Sequence, residues 1–249
     1  MVDALDSKSS SFTGVSVRVG PGAPPTANDP QVPAITATLL SIQVGPVAPL
    51  GPGGVPSAFH KHRVEGPVKV EASGLVGDAQ ADLKVHGGPE KAVYAYATEH
   101  YPAWALDYPQ HREKLVAGGF GENLTIEGLL ERDICVGDVH RVGSAMLQVC
   151  QPRQPCFKLA LYFEDSRVPK AMVRNGRAGW YYRVVAPGEI NAGDKISLIE
   201  RPNPDFRFDR LIEIVNFGNA SQDEIRAMAA MAGLAGRLRA RADAALRSA

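Results

Sequence analysis

The most reactive combination in the chain is a single cysteine turn. In Gln151-Pro152-Arg153-Gln154-Pro155-Cys156-Phe157-Lys158-Leu159 a thiol follows two prolines and lies between two cations, Arg153 and Lys158. Proline fixes φ and removes a backbone donor, so Pro152 and Pro155 hold this turn in few conformations. Cations this close favour thiolate over thiol, and the thiolate attacks electrophiles or binds a soft metal. An isolated cysteine is more often a small buried hydrophobe. The prolines and cations are what argue for chemistry at Cys156.

Four further residues are candidates. Lys61 and Arg63 lie in the loop that starts at Ser57, His86 precedes Gly87-Gly88, and Asn123 ends the glycine-rich turn that starts at Gly118. Taken singly, the first two are solvated charges, His86 is a surface or core histidine, and Asn123 bonds its own backbone. What they share with Arg153 and Lys158 is a setting in loops rich in glycine or proline, where binding residues concentrate. Together they offer a thiolate, an amide and several cations. That set suits an anionic ligand with a soft centre, such as a phosphorylated cofactor carrying a metal. Other chemistries lack their signatures: there is no dinucleotide or Walker A glycine loop, no G-x-S-x-G and no H-E-x-x-H. A cysteine hydrolase can draw on His86, but no spacing compels that reading.

Composition narrows the partners. Lys+Arg and Asp+Glu both number 27, so the net charge is zero and no bulk field favours nucleic acid or an anionic membrane. Any cationic site must be local. Three cysteines without C-x-x-C spacing suggest neither a zinc knuckle nor a disulfide framework, and they fit a reducing cytosol. No stretch reads as a signal peptide or approaches the ~20 apolar residues of a membrane helix. A cytoplasmic protein is expected.

The elements that must position these residues are mostly short strands. Residues 1–33, with the proline-rich run Pro21 to Pro25, read as a poorly ordered extension. Strands are expected over 34–44, 68–73, 92–96, 133–136, 139–142, 145–151, 179–185 and 195–200. Segments 45–54 and 74–78 are expected as loop and turn. Thr98 is expected to cap a short helix through Leu106, and 169–176 to be helical. Many short strands with few helices between them argue for a barrel, here expected over 34–203. After Arg201-Pro202-Asn203-Pro204 the period changes. Leu211, Ile212, Ile214 and Val215 mark one helix, and Ser221 with Glu224 a capping box that opens a second, closed by Gly233. Leu234, Leu238, Ala242 and Ala245 stripe a third. A small three-helix domain over 204–249 is therefore expected, leaning on the barrel or on a partner chain. The fold class is mainly β (α+β).

Six ordered motifs resemble a known family. They are Ser57 to Lys61 with Glu65-Gly66-Pro67-Val68; Gly74-Leu75-Val76-Gly77-Asp78; Ala81-Asp82 with the run Val85 to Ala92; Glu99-His100-Tyr101 with Trp104; Phe120 to Leu124; and Gln151 to Cys156 with Lys158-Leu159. This pattern is similar to the MOSC domain of molybdenum cofactor sulfurases, in its stand-alone YiiM-like branch. It spans about residues 34 to 200, and the helical tail resembles that branch's C-terminal extension.

The resemblance implies a MOSC-type β-barrel, binding of the molybdenum cofactor (molybdopterin), and Cys156 as a thiolate ligand of molybdenum. It implies reduction of N-hydroxylated compounds such as hydroxylaminopurine-type bases, with electrons from a separate redox protein. A homodimer is compatible with it, and the family carries an association with pyridoxal phosphate. By motif position His86 and Asn123 would line the catalytic site with Cys156, while Lys61, Arg63, Arg153 and Lys158 would help hold the anionic cofactor. Two other readings stay open: a carrier holding a persulfide on Cys156, and a non-catalytic binder whose helical tail mediates association.

Overall fold

A computed structural model describes residues 37–82 and 87–248. The expected extension over 1–33 and His86 both lie outside the described residues. Among the described residues are thirteen strands and six α-helices. The strands are β1 (Ala37–Val44), β2 (Ala48–Leu50), β3 (Val55–Ser57), β4 (His62–Val64), β5 (Val68–Glu71), β6 (Gly74–Leu75), β7 (Val93–Ala97), β8 (Leu124–Glu127), β9 (Val139–Val142), β10 (Ala145–Pro152), β11 (Trp180–Ala186), β12 (Gly188–Ile190) and β13 (Lys195–Glu200). The helices are α1 (His100–Asp107), α2 (Phe157–Phe163), α3 (Arg167–Asn175), α4 (Phe208–Phe217), α5 (Gln222–Ala230) and α6 (Gly236–Arg247).

Seven strands close into a barrel in the order β13-β9-β10-β11-β7-β8-β1, and β1 returns to β13 with Ala37 opposite Ile196. Closure removes the open edges that an isolated sheet would present. All pairings in the ring are antiparallel except β7 with β8. The outer strand β4 adds to β1 outside the ring, pairing Arg63 with Gln43. Strand β7 is buried along its whole length, between the barrel interior and an aromatic layer. That layer joins Tyr96, Trp104 and Phe120, and the Trp104 indole donates to the Tyr96 hydroxyl at 2.6 Å.

Several expectations need correction. The segment 45–54 is not plain loop: it holds β2, which pairs with β3 just beyond it in a hairpin over 48–57. Gly74-Leu75 is a short strand on β5. The strand expected over 133–136 is absent: a 3-10 turn, Glu131–Asp133, precedes a lone bridge from Cys135 to Arg207. Local carboxylates explain it, because Asp133 accepts from the Leu130 amide and Asp138 from the Cys135 amide, removing backbone donors from any ladder. Helix α1 takes Glu99 as its N-cap, while Thr98 contributes only its carbonyl, to the Tyr101 amide. Helix α2 carries no start signal in the sequence because its N-cap is Cys156, which makes no side-chain cap bond.

The capping box at Ser221 is as expected. The Glu224 amide donates to the Ser221 hydroxyl at 3.2 Å, and the Ser221 amide to the Glu224 carboxylate at 2.7 Å. The three C-terminal helices belong to the same compact unit as the barrel. The Phe208 amide bonds the Ile134 carbonyl, and the Ala235 amide bonds the Cys150 carbonyl, each at 3.0 Å. Helix α6 is thereby anchored to the strand that leads to Cys156.

Gly179 joins α3 to β11 at the point where β10 delivers Arg153, whose amide donates to the Gly179 carbonyl at 3.4 Å. Its φ is +66°, and a Cβ there would run into the Ala95 carbonyl. Left-handed backbone costs an L-residue roughly 1–2 kcal/mol, and the clash adds to it. Gly179→Ala is expected to lower stability by at least about 2 kcal/mol, read as a shift in denaturation midpoint with unchanged slope.

Candidate active site

The end of the barrel beside β10 holds a cleft of about 110 Å³. Its walls include Lys61, Asp78, Tyr94, Asn123, Arg153 and Cys156, with Phe59, Lys158 and Tyr181 at the margin. Four of the residues singled out in sequence, Lys61, Asn123, Arg153 and Lys158, thus meet around Cys156. Arg63 does not. Strand β4 turns it outward, where its side chain is 59% exposed and pairs with Glu65 at 2.9 Å. Lys61 precedes β4, which begins at His62, so the period-two alternation that would put the two side chains on one face does not apply to the pair.

Cys156 follows the second proline and caps α2 in an extended conformation (φ −118°, ψ 177°). It is half-buried, whereas Cys135 and Cys150 are buried. Burial also pushes the Cys150 thiol up to about 12 and raises Cys135, so neither is poised as a thiolate. Cys156 alone among the three combines access with a place on the cleft wall.

Arg153 is the least ordinary residue here. Only 7% of its surface is exposed. Its guanidinium lies 5.3 Å from the Tyr94 ring and 5.9 Å from the Phe59 ring, and Nη1 lies 3.3 Å from the Met172 sulfur. No carboxylate pairs with it among the described residues. Removing a charge from water without a counter-ion costs several kcal/mol, and ring contacts return only part of that. A cation held this way, on the wall of a cleft, is prepared for an anion that enters the cleft.

The remaining polar residues form a scaffold. The Lys61 ammonium pairs with Asp78, and both are nearly buried. Burial lowers the Lys61 pKa, against the opposing pull of Asp78. Asp78 also accepts from the Gly45 amide at 2.9 Å and from the Asn123 amide nitrogen at 2.7 Å. The Asn123 side chain accepts from the Tyr94 amide at 3.0 Å and donates to the Gln43 carbonyl at 3.2 Å. Its amide is fully engaged in protein contacts, so it orients Tyr94 and Asp78 rather than presenting free donors. Lys158 donates to the Pro56 carbonyl at 2.8 Å, tying α2 to the β3 hairpin.

Glu122 holds the glycine-rich turn in place. Its carboxylate accepts from the Gly118 amide at 2.7 Å, the Phe120 amide at 3.1 Å, the Thr125 hydroxyl at 3.0 Å and the Tyr101 hydroxyl. Burial raises its pKa, although the Tyr101, Gly118 and Thr125 donors oppose the rise.

Sequence reasoning missed Asp78, Tyr94, Lys91 and Tyr181 as site residues. Asp78 ends the Gly74-Leu75-Val76-Gly77-Asp78 run, but an aspartate after glycine reads as a turn residue. The tyrosines read as core. Only the barrel brings them to the cleft.

No group of three or more His, Cys, Asp or Glu that could hold a metal is found among the described residues. A metal here would need most of its ligands from another molecule, with Cys156 as the protein's contribution.

Comparison with known proteins shows the family. The MOSC domain model matches residues 82–197. Protein YiiM of Escherichia coli (strain K12) is 45% identical over 150 residues, covering 60% of this chain and 67% of that protein. A protein named Reductase from Gibberella moniliformis (strain M3125 / FGSC 7600) is 38% identical over 185 residues, covering 74% of this chain but 33% of the relative. The crystal structure of YiiM from Geobacillus stearothermophilus superposes with a TM-score of 0.70 at 31% identity, over 83% of this chain and 97% of that one.

Proposed function

The chain belongs to the MOSC family, and from that premise we propose that it binds the molybdenum cofactor in the Cys156 cleft and reduces N-hydroxylated compounds. The observation that carries this reading is the pair formed by a half-buried thiol and a buried guanidinium, with no counter-ion among the described residues, on one cleft wall. The donor set fits the group. Arg153 meets its anionic part, Cys156 offers a soft sulfur to its metal, and Lys61, fixed by Asp78, adds positive charge nearby. When bound, the cofactor supplies a redox-active metal able to accept oxygen.

The protein's part is positional and electrostatic. Asn123 and Asp78 hold Lys61; Glu122 holds the turn that carries Phe120 and Asn123; Tyr94 and Phe59 keep Arg153 from solvent. The overall change takes R–NHOH, two protons and two electrons to R–NH2 and water. A separate redox protein supplies the electrons. The relative named Reductase supports the redox character of the reaction. The pyridoxal phosphate association has no support in the comparisons. Among the described residues no helix is long and apolar enough to cross a membrane.

The test is turnover of an N-hydroxylated purine by protein made in a cofactor-competent host, with an artificial electron donor. Cys156→Ala is expected to lower kcat at least about a hundredfold, since even outer-shell partners of a metal are worth 10–100-fold. Undiminished turnover in that variant would overturn the proposal. A persulfide found on Cys156 without pterin would favour the carrier reading instead.

A further inference from the structure

Cys156 borders a second, larger chamber. It measures about 410 Å³ and shares Lys91, Gln154, Cys156 and Tyr181 with the first cleft. Its far wall is α6, through Arg237 and Arg241. One helical turn separates these two arginines, so both fall on the same face. Both are exposed, and neither has an ion-pair partner among the described residues.

The carboxylate on the chamber wall, Glu90, is already neutralised. It pairs with Arg183 at 2.8 Å and accepts from the Gly236 amide at 2.9 Å, at the start of α6. Lys91, also on the chamber wall, lies 5.9 Å from the Tyr181 ring. Burial lowers the Lys91 pKa and Arg237 adds to the effect, which places like charges within reach of one another. The chamber wall therefore carries Arg237, Arg241 and Lys91, the Tyr181 ring, and the Cys156 thiol that it shares with the first cleft.

From this arrangement we propose that the second chamber is a phosphate subsite for the substrate. The N-hydroxylated base would reach the cofactor held at Cys156, and Arg237 and Arg241 hold the phosphate of the same molecule, a nucleoside monophosphate. This rests on the reductase reading and extends it to a substrate class. The chemistry is that of arginine forks with a phosphomonoester, in a chain whose net charge is zero and whose cations must act locally. The cofactor's own phosphate has the same chemistry, so the experiment separates the two sources.

Binding comes first, because it needs no turnover. Calorimetric titration of the full chain compares adenosine 5′-monophosphate with adenosine. The monophosphate is expected to bind at least about tenfold tighter, a modest return for two charge-assisted contacts. Arg237→Ala with Arg241→Ala is expected to erase that difference, and Arg237→Lys with Arg241→Lys to retain part of it. On cofactor-loaded protein the ratio of kcat/KM for an N-hydroxylated nucleoside monophosphate over its nucleoside is expected to fall at least about tenfold in the alanine pair.

Equal affinities in the wild type, or an undiminished difference in the alanine pair, would overturn the subsite. So would loss of bound pterin from the alanine pair, because the chamber would then hold the cofactor's phosphate. If the monophosphate preference holds while no substrate is reduced by the loaded wild type, the subsite stands and the reductase reading fails.

Discussion

Arg153→Met is expected to stabilise the cofactor-free chain while weakening its hold on the cofactor. The guanidinium is buried without a counter-ion among the described residues, and burial of a lone charge costs several kcal/mol. Its contacts with the Tyr94 and Phe59 rings return roughly 1–2 kcal/mol in total. Methionine fills similar space beside Met172 and the rings without carrying charge. The balance favours the variant by about 1–2 kcal/mol in urea denaturation of the cofactor-free protein. Pterin affinity should move the other way, by about 2–5 kcal/mol, because one half of a desolvated charge pair is gone. This opposition of stability and binding is the mark of a preorganised site. A variant that is both less stable and fully able to bind pterin would show that Arg153 is a structural cation.

Glu122→Gln carries the second large effect. Four donors converge on the Glu122 carboxylate, two of them backbone amides of the turn that bears Phe120. A glutamine turns one acceptor into a donor facing donors, leaving at least one buried group unpaired. The expected loss is about 3 kcal/mol, the desolvation of such a group plus the lost charge-assisted bonds. The pH dependence has a definite sign. Burial raises the folded-state pKa of Glu122, so its contribution is fully present below the ordinary glutamate pKa and declines as pH rises through the folded value. The penalty of Glu122→Gln should therefore be larger near pH 4 than near pH 8. Denaturation midpoints of both proteins across that range check it, and a penalty growing with pH would contradict the assignment.

Much of this architecture is legible in the amino-acid sequence. Strand alternation locates β1, β9, β10, β11 and β13 to within a few residues, because barrel strands with one more exposed face impose period two on the sequence, while β7, buried on both faces, shows only as a short apolar run. The capping box at Ser221 and Glu224 is legible because its signal is local. What fails is non-local or unsignalled. The strand expected over 133–136 loses its donors to Asp133 and Asp138, and no period reveals such bonds. Helix α2 starts on a cysteine, a poor N-cap, so the element that seats Cys156 is invisible in the sequence.

The site divides along the same line. Cys156 and Arg153 stand out because prolines and charges crowd a short segment. Asp78, Tyr94 and Tyr181 come from separate parts of the chain and gather only when the barrel closes. Nearness in sequence groups Arg63 with Lys61, but an edge strand separates them. Asn123 reads in sequence as a turn residue bonding its own backbone or as a site-lining amide; its three bonds to Tyr94, Gln43 and Asp78 show it orienting its neighbours.

Metal and pterin analysis of the purified wild type beside Cys156→Ala tests the central claim most directly. Both proteins would come from a host that makes the molybdenum cofactor, with folding checked by their denaturation midpoints. Molybdenum and pterin are expected together in the wild type, with molybdenum sharply reduced in Cys156→Ala. Equal molybdenum in the two folded proteins, or none in either, would contradict a thiolate-ligated cofactor at Cys156.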